Sequence, residues 1–180
     1  KLLPLLALAL AAAPALAQTG TAFFSVRIPA ADSQPAIPII VYAVDPGGVT
    51  RTATADASGL AIVPGLPFGR YFAFPDPSAG YITLFSLGAD VRPDSLAFGV
   101  IILETPDPLK GVVRGVLTEE GTGAPVRFDL LNVRLATPGV FASYSNVDGE
   151  GRYAFQVDPG TYNATYRFYD TSDPVSTYFP

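Results

Sequence analysis

The chain has 180 residues and a formal net charge of −5, is 49% hydrophobic, and contains no cysteine, histidine, methionine or tryptophan. Without cysteine and histidine it cannot form a disulfide, a Ser-His-Asp or Cys-His catalytic group, or an imidazole metal site. Its 11 basic residues lie singly among 16 acidic ones, which excludes the electrostatic pattern of a nucleic-acid-binding protein.

The first segment, residues 1–17, is typical of a secretory signal peptide. Lys1 is followed by an apolar, alanine-rich run that ends in Ala15-Leu16-Ala17, and cleavage is expected between Ala17 and Gln18. The apolar run is shorter than the roughly 20 residues that a membrane-spanning helix needs. The sequence therefore predicts an exported protein without a membrane span, located in the periplasm, in the medium or at the cell surface.

Short β-strands separated by turns are predicted throughout the remaining chain. A first series falls at 21–29, 37–45, 60–63, 70–74, 81–87 and 96–103. The strand at 37–45 is apolar on both faces, which indicates a strand that is covered on both sides. A second series falls at 111–118, 127–135, 141–147, 152–157 and 161–169.

The two series repeat each other. DASG at 56–59 is similar to DGEG at 148–151, and FGRY at 68–71 is similar to PGTY at 159–162. A repeat of about 90 residues has the size of one small β-sandwich. What persists between the copies is glycine, tyrosine and one aspartate, which are the residues that tight turns need.

Domain boundaries follow from the repeat. We predict an all-β chain of two tandem, seven-strand-type Greek-key sandwiches, at 18–104 and 110–180. Two prolines and several charges between them indicate a linker at 105–109.

Residues 110–180 resemble the carboxypeptidase regulatory-like module, one of the prealbumin-like and Cna-B-type β-sandwiches. The motif residues are Val113, Gly115, Leu117, Gly123, Pro125, Asp148, Gly151, Tyr153, Pro159, Gly160, Tyr162, Tyr178, Phe179 and Pro180. The first copy is a looser match, with Ser25 where the first-strand glycine would fall. The resemblance implies that the second copy lacks its last strand, as either a fragment of a longer reading frame or a subunit that accepts a strand from a neighbour.

A candidate metal site lies in the DGEG segment. Asn146, Asp148 and Glu150 place oxygen atoms at alternate positions, as in the first half of an EF-hand loop, but calcium takes about 6–8 oxygen ligands. The alternative is a hairpin turn in which Asp148 accepts hydrogen bonds from backbone amides and Gly149 or Gly151 has a positive φ. The sequence favours the turn, and no metal or cofactor is predicted.

The other acidic and aromatic residues favour structure over chemistry. Aspartate precedes proline at Asp45, Asp76, Asp107, Asp158 and Asp173, and such steps begin turns more often than they catalyse reactions, so no enzyme is predicted. Alternating aromatics such as Tyr153 and Phe155 are typical of a core face. The remaining group, Tyr144, Arg167 and Tyr169, is a candidate sugar-stacking site.

The expected function is a non-catalytic surface or extracellular module that acts as a structural spacer, stalk or adhesion scaffold. One alternative is a carbohydrate-binding or regulatory module of a larger secreted enzyme or outer-membrane receptor. Another is a strand-donating filament subunit. The expected partner is an unidentified protein or carbohydrate at the cell surface, or a neighbouring subunit that exchanges a strand.

Overall fold

The computed structural model describes residues 18–29, 31, 35–44, 48–126, 131–137 and 140–168, without the side chains of the strand residues within 131–146 and 164–168. In these ranges the chain forms β-strands and one 3-10 turn, which confirms the predicted all-β class. The predicted signal peptide, 1–17, and the last position of the final predicted strand, 169, lie outside the described residues.

The first region is a sandwich of two four-stranded sheets. Its strands are β1 Thr19–Arg27, β2 Ile37–Ala43, β3 Thr50–Ala55, β4 Leu60–Pro67, β5 Gly69–Pro75, β6 Ile82–Leu87, β7 Ala89–Val91 and β8 Ala97–Glu104, with a 3-10 turn at Pro77–Ala79. The sheet orders are β4-β1-β8-β6 and β3-β2-β5-β7. Only β1 and β8 run parallel; the other described pairs are antiparallel.

One apolar core lies between these two sheets. The predicted alternation in β1 is confirmed, because Ala22, Phe24 and Val26 are fully buried. They pack with inward residues of β2, including Ile39 and Val41. All six predicted strands of this region are present; β3 and β7 are additional, since β3 carries alternating threonines with little apolar signal and β7 has three residues.

Five described strands form the second region. They are β9 Gly111–Val116, β10 Leu131–Thr137, β11 Val140–Asn146, β12 Arg152–Val157 and β13 Asn163–Phe168. They pair in the orders β12-β9 and β11-β10-β13, which match β4-β1 and β3-β2-β5 of the first region. Phe155, Val147 and Val157 form its buried cluster, as the alternation in 152–157 predicts.

The same hairpin turn occurs in both regions. Asp56 and Asp148 each accept hydrogen bonds through Oδ1 from the backbone N–H groups two and four residues later, at 2.8–3.1 Å. Gly59 and Gly151 close the turns with φ of 79° and 77°, a backbone conformation that glycine adopts without steric cost. The backbone of the DGEG segment therefore forms the hairpin turn that the sequence favours.

A tyrosine hydroxyl fixes the next corner in both regions. Tyr71 Oη donates to the carbonyl of Pro67 at 2.9 Å, and Tyr162 Oη donates to the carbonyl of Asp158 at 2.7 Å. Each bond spans four residues and ties the side chain to the segment that leads into its strand. The FGRY and PGTY segments are thus alike in structure as well as in sequence.

Strand register corrects one detail of the sequence alignment. The N–H groups of Val26 and Leu117 donate to the carbonyls of Gly59 and Gly151 at 2.7 and 2.9 Å, so these positions correspond. Counting back two residues, the counterpart of the first-strand glycine is the residue before Ser25. The prediction of Ser25 at this place was wrong by one residue, because the alignment had no register to fix it.

The corrected pair shows an exchange of large and small residues across the strands. Phe24 lies opposite Ala61 in the first region, whereas Gly115 lies opposite Tyr153 in the second. A Cβ atom at residue 115 would overlap the Tyr153 ring. Each region thus fills the same layer with one aromatic ring, carried on opposite strands, and Gly115 is required by its neighbour's size.

Candidate functional site

The DGEG turn holds a buried carboxylate. Asp148 is 6% exposed, and while its Oδ1 accepts the two backbone N–H groups of the turn, its Oδ2 accepts a hydrogen bond from Arg152 Nε at 2.8 Å. A buried charge is stable only when it is paired and hydrogen-bonded. Both oxygen atoms of Asp148 are therefore engaged by the turn and by the first residue of β12.

Arg152 extends this contact to the first region. Its Nη1 pairs with Glu150 Oε2 at 2.8 Å, and its Nη2 donates to Tyr42 Oη on β2 at 3.0 Å. One planar guanidinium thus joins two carboxylates of its own turn to a phenol 110 positions away in the chain. The network Tyr42, Asp148, Glu150 and Arg152 is hereafter called the junction network.

Electrostatics keep Tyr42 neutral and Arg152 charged. Burial and the nearby charge of Asp148 raise the pKa of Tyr42 to about 12, so that the phenol is neutral at physiological pH. Burial alone would lower the pKa of Arg152, but the hydrogen bond and charge of Asp148 outweigh it and raise that pKa above its usual value. The guanidinium is therefore always charged and the phenol always available as an acceptor.

Apolar residues accompany the network on the outer face of the β2–β5 pair. Tyr42 and Phe74 are 2% and 4% exposed, and their rings meet edge to face with centroids 6.2 Å apart. The inner face of β2 is buried in the sandwich core. The prediction that 37–45 is covered on both faces holds on the second face only at Tyr42, because on that face Pro38 is exposed and Ile40 is half-buried.

The segment between the regions is folded rather than extended. The Asp107 N–H donates to the Gln156 side-chain oxygen of β12. Asp107 also accepts from the Leu109 N–H through Oδ1 at 2.9 Å and from the Lys110 N–H through its carbonyl at 3.0 Å. The predicted linker is therefore a turn that is fastened to the second region.

A cavity of about 360 Å³ lies where the two regions meet. From the first region it is lined by residues of β5, β6 and the turn between them, including Phe74, Pro77, Tyr81 and Thr83. From the second region it is lined by residues of β9 and β12, including Arg114, Tyr153 and Arg152. The junction network forms one side of this cavity through Asp148 and Arg152.

Two of the three candidate metal ligands, Asp148 and Glu150, pair with Arg152. The third, Asn146, ends β11, and its side chain lies outside the described residues. Within the part of the chain that the structure describes, no cluster of three or more acidic residues could hold a metal ion.

The candidate sugar-stacking residues lie on the other sheet of the second region. Tyr144 pairs with Arg134 across β11 and β10, and Arg167 pairs with Asn132 across β13 and β10. Tyr169 and the side chains of Tyr144 and Arg167 lie outside the described residues. Of the predicted cleavage pair, Ala17 lies outside them as well, and Gln18 is exposed before β1.

Sequence reasoning missed the junction network and the cavity. The available signal was the difference between the two copies of the turn, where Ser58 and Leu60 are replaced by Glu150 and Arg152. A charged pair at those two places is unnecessary for the turn itself. Over the described ranges, no helix has the length and hydropathy to cross a membrane.

Comparisons with known proteins give matches only among solved structures. No protein-family model matches the chain. No curated protein sequence matches it either.

Similar solved structures include three bacterial proteins. A streptococcal ancillary pilin is 16% identical over 90% of this chain and 59% of its own, with a TM-score of 0.40. The TIE protein of Bacillus anthracis is 17% identical over 84% of this chain and 28% of its own, with a TM-score of 0.40. Two B repeat units of the collagen-binding protein of Staphylococcus aureus are 15% identical over 84% of this chain and 45% of theirs, with a TM-score of 0.32. The chain thus spans less than two thirds of each.

Proposed function

We propose that this chain is an exported, non-catalytic surface or extracellular module in which two tandem β-sandwiches, 18–104 and 110–180, are braced into a structural spacer, stalk or adhesion scaffold. The observation that carries the proposal is the junction network, in which Arg152 binds its own turn and Tyr42 of the other region. A spacer holds the parts on either side of it at a fixed distance. It therefore needs a fixed angle between its units more than it needs reactive groups.

The tandem arrangement is supported by the repeated hydrogen bonds. The aspartate turns and the tyrosine corners recur with the same donors and acceptors in both regions. The linker adds a second attachment, because the N–H of Asp107 is bound by Gln156. Two attachments at different points restrict rotation more than either does alone, which makes the pair semi-rigid.

A non-catalytic role is supported by the structural role of four described aspartates in turns. Asp56, Asp76, Asp107 and Asp148 all accept backbone N–H groups two residues ahead and thus begin turns. Hydrogen bonding to Ser58 lowers the pKa of Asp56, and hydrogen bonding to Ser78 does the same for Asp76. The carboxylates of Asp56 and Asp76 are therefore held ionised, as structural acceptors rather than proton donors.

The test is the distribution of distances between the two regions. Because the chain contains no cysteine, Ser95→Cys and Glu120→Cys place spin labels at single exposed sites, one in each region. We expect double electron–electron resonance to give one narrow distance distribution. Arg152→Leu is expected to broaden it, whereas Arg51→Leu, at an exposed position of β3, leaves it narrow. A broad distribution in the otherwise unchanged chain contradicts the proposal.

A second candidate, a subunit that accepts a strand from a neighbour, is favoured by the exposure of β9. Among the described residues β9 pairs with β12 alone, whereas its counterpart β1 lies between β4 and β8. Val112, Val113 and Val116 of β9 are 39%, 38% and 57% exposed. An exposed apolar edge of this kind is a template for strand addition. Sedimentation should then show association that increases with concentration and that Val113→Lys abolishes; a monomer at all concentrations contradicts this candidate.

A further inference from the structure

We propose that the cavity between the two regions binds an acidic sugar residue, a hexuronate, whose carboxylate pairs with Arg114. The inference rests on the braced junction of the proposed function and is independent of export and of the spacer role. It adds a specific ligand site at a place where binding sites commonly form, the boundary between two domains.

The charge of the site comes from one unpaired guanidinium. Arg152 and Asp148 line the same cavity, but they neutralise each other within the junction network, together with Glu150. Arg114 is exposed on β9, and no carboxylate in the described part of the chain pairs with it. An arginine binds a carboxylate with two parallel hydrogen bonds, so Arg114 selects for an acidic ligand.

Three residues with hydroxyl groups line the same cavity as Arg114. Thr83 is 9% exposed, lines the cavity, and its side-chain hydroxyl has no hydrogen-bond partner among the described residues. Tyr81 and Tyr153 also line the cavity, and their hydroxyls are likewise unpaired within the described ranges. The Thr83 hydroxyl is buried, and a buried hydroxyl without a partner is costly, whereas Tyr81 and Tyr153 are half-buried. A ligand that carries hydroxyl groups of its own would pair with all three.

The walls of the cavity are largely apolar and rigid. Phe74, Pro75 and Pro77 supply ring surfaces on the side of the first region. A pyranose ring has one face of C–H groups and a rim of hydroxyls, which suits apolar walls with polar groups at the edges. A volume of about 360 Å³ lies at the small end of the usual range for ligand pockets, so it suits one or two sugar residues.

A peptide carboxyl terminus is the competing occupant, since it also brings a carboxylate. It would in addition need partners for its own backbone N–H and C=O groups. The cavity instead offers side-chain hydroxyls of Thr83, Tyr81 and Tyr153, which match a ligand rich in hydroxyls.

The experiment is calorimetric titration with digalacturonate and, as a matched uncharged ligand, its dimethyl ester. We expect digalacturonate to bind and the ester to bind about tenfold to a hundredfold more weakly, as expected for loss of a charge-assisted hydrogen bond. Arg114→Gln should weaken digalacturonate by a similar factor, and Tyr153→Phe by a smaller one. Arg51→Gln, remote from the cavity, is the control and should bind like the unchanged chain.

Three results would overturn the proposal. One is equal binding of digalacturonate and its ester, which excludes the carboxylate contact. Another is binding of an acetylated tetra-alanine peptide with a free carboxyl terminus in place of the sugar. The third is no digalacturonate binding in a chain whose spin-label distance remains narrow, which removes the ligand site and leaves the braced junction standing.

Discussion

The two regions build the same turn and use it differently. Asp56 lies at the surface of the first region, whereas Asp148 is buried at the boundary of the second, although both accept the same backbone N–H groups. The residue four places after each aspartate decides the difference, since it is Leu60 in one case and Arg152 in the other. Leu60 is a half-buried apolar residue, whereas Arg152 reaches Tyr42 of the other region.

This difference separates residues that make the fold from residues that make the junction. An aspartate and a glycine with positive φ are enough for the turn, because they recur in both regions with the same geometry. Glutamate and arginine are additions that only the second copy carries. A shared motif therefore indicates the fold, and the position where two copies differ indicates the contact.

The largest expected effect concerns the buried phenylalanine of each region. Phe155 and Phe24 are both fully buried, each in a separate buried cluster of its own region. Either change to alanine should cost about 3–5 kcal/mol. We expect Phe155→Ala to unfold the second region while hydrogen exchange still protects β1 and β2. Loss of protection in both regions at once would mean that they unfold as one cooperative unit.

A glycine substitution tests whether the turn of the second region is sterically closed. Gly151→Ala should cost about 3 kcal/mol, because it combines a positive φ with overlap of the new Cβ and the Leu117 carbonyl. Gly121 also has a positive φ but has open space around it, so Gly121→Ala should cost only about 1 kcal/mol. Chemical denaturation measures both, and equal costs would contradict the steric explanation.

Replacing the buried aspartate of the second region should cost more stability than replacing the exposed aspartate of the first. Asp148→Ala leaves the Arg152 Nε–H and two backbone N–H groups without their acceptor at a buried site, so we expect a loss of about 2–3 kcal/mol. Asp56→Ala removes an equivalent turn at the surface and should cost about 1 kcal/mol. If denaturation gives the same cost for both, the junction adds nothing to the turn.

Much of the fold could be predicted from the sequence, because alternation and turn residues are local signals. Strand β3 could not, since its alternating threonines lack an apolar face, and the counterpart of Gly115 needed the strand register. The candidate site is a different case. Arg152 and Tyr42 are far apart in sequence and carry no shared motif, so only the folded chain brings them together.

The smallest expected effect is a tyrosine titration. A pKa of about 12 for Tyr42 means that the folded chain keeps a proton between pH 10 and 12 that the unfolded chain releases. The stability from this group is thus fully present below about pH 10 and falls as the pH rises towards 12. Tyrosinate absorbance of the folded chain should include the late-titrating phase of Tyr42. Tyr42→Phe should remove that phase. If the phase persists, it belongs to another tyrosine.

The central claim, that Arg152 braces the two regions through Tyr42, is tested most directly by a double-mutant cycle. Tyr42→Phe deletes only the acceptor hydroxyl, and Arg152→Leu installs the residue that the first region has at the same place. Free energies of unfolding of the two single variants, the double variant and the unchanged chain give the coupling energy. We predict a coupling of about 0.5–1.5 kcal/mol, as for a hydrogen bond to a charged group that is partly exposed. Additive effects, with a coupling below about 0.3 kcal/mol, would contradict the brace.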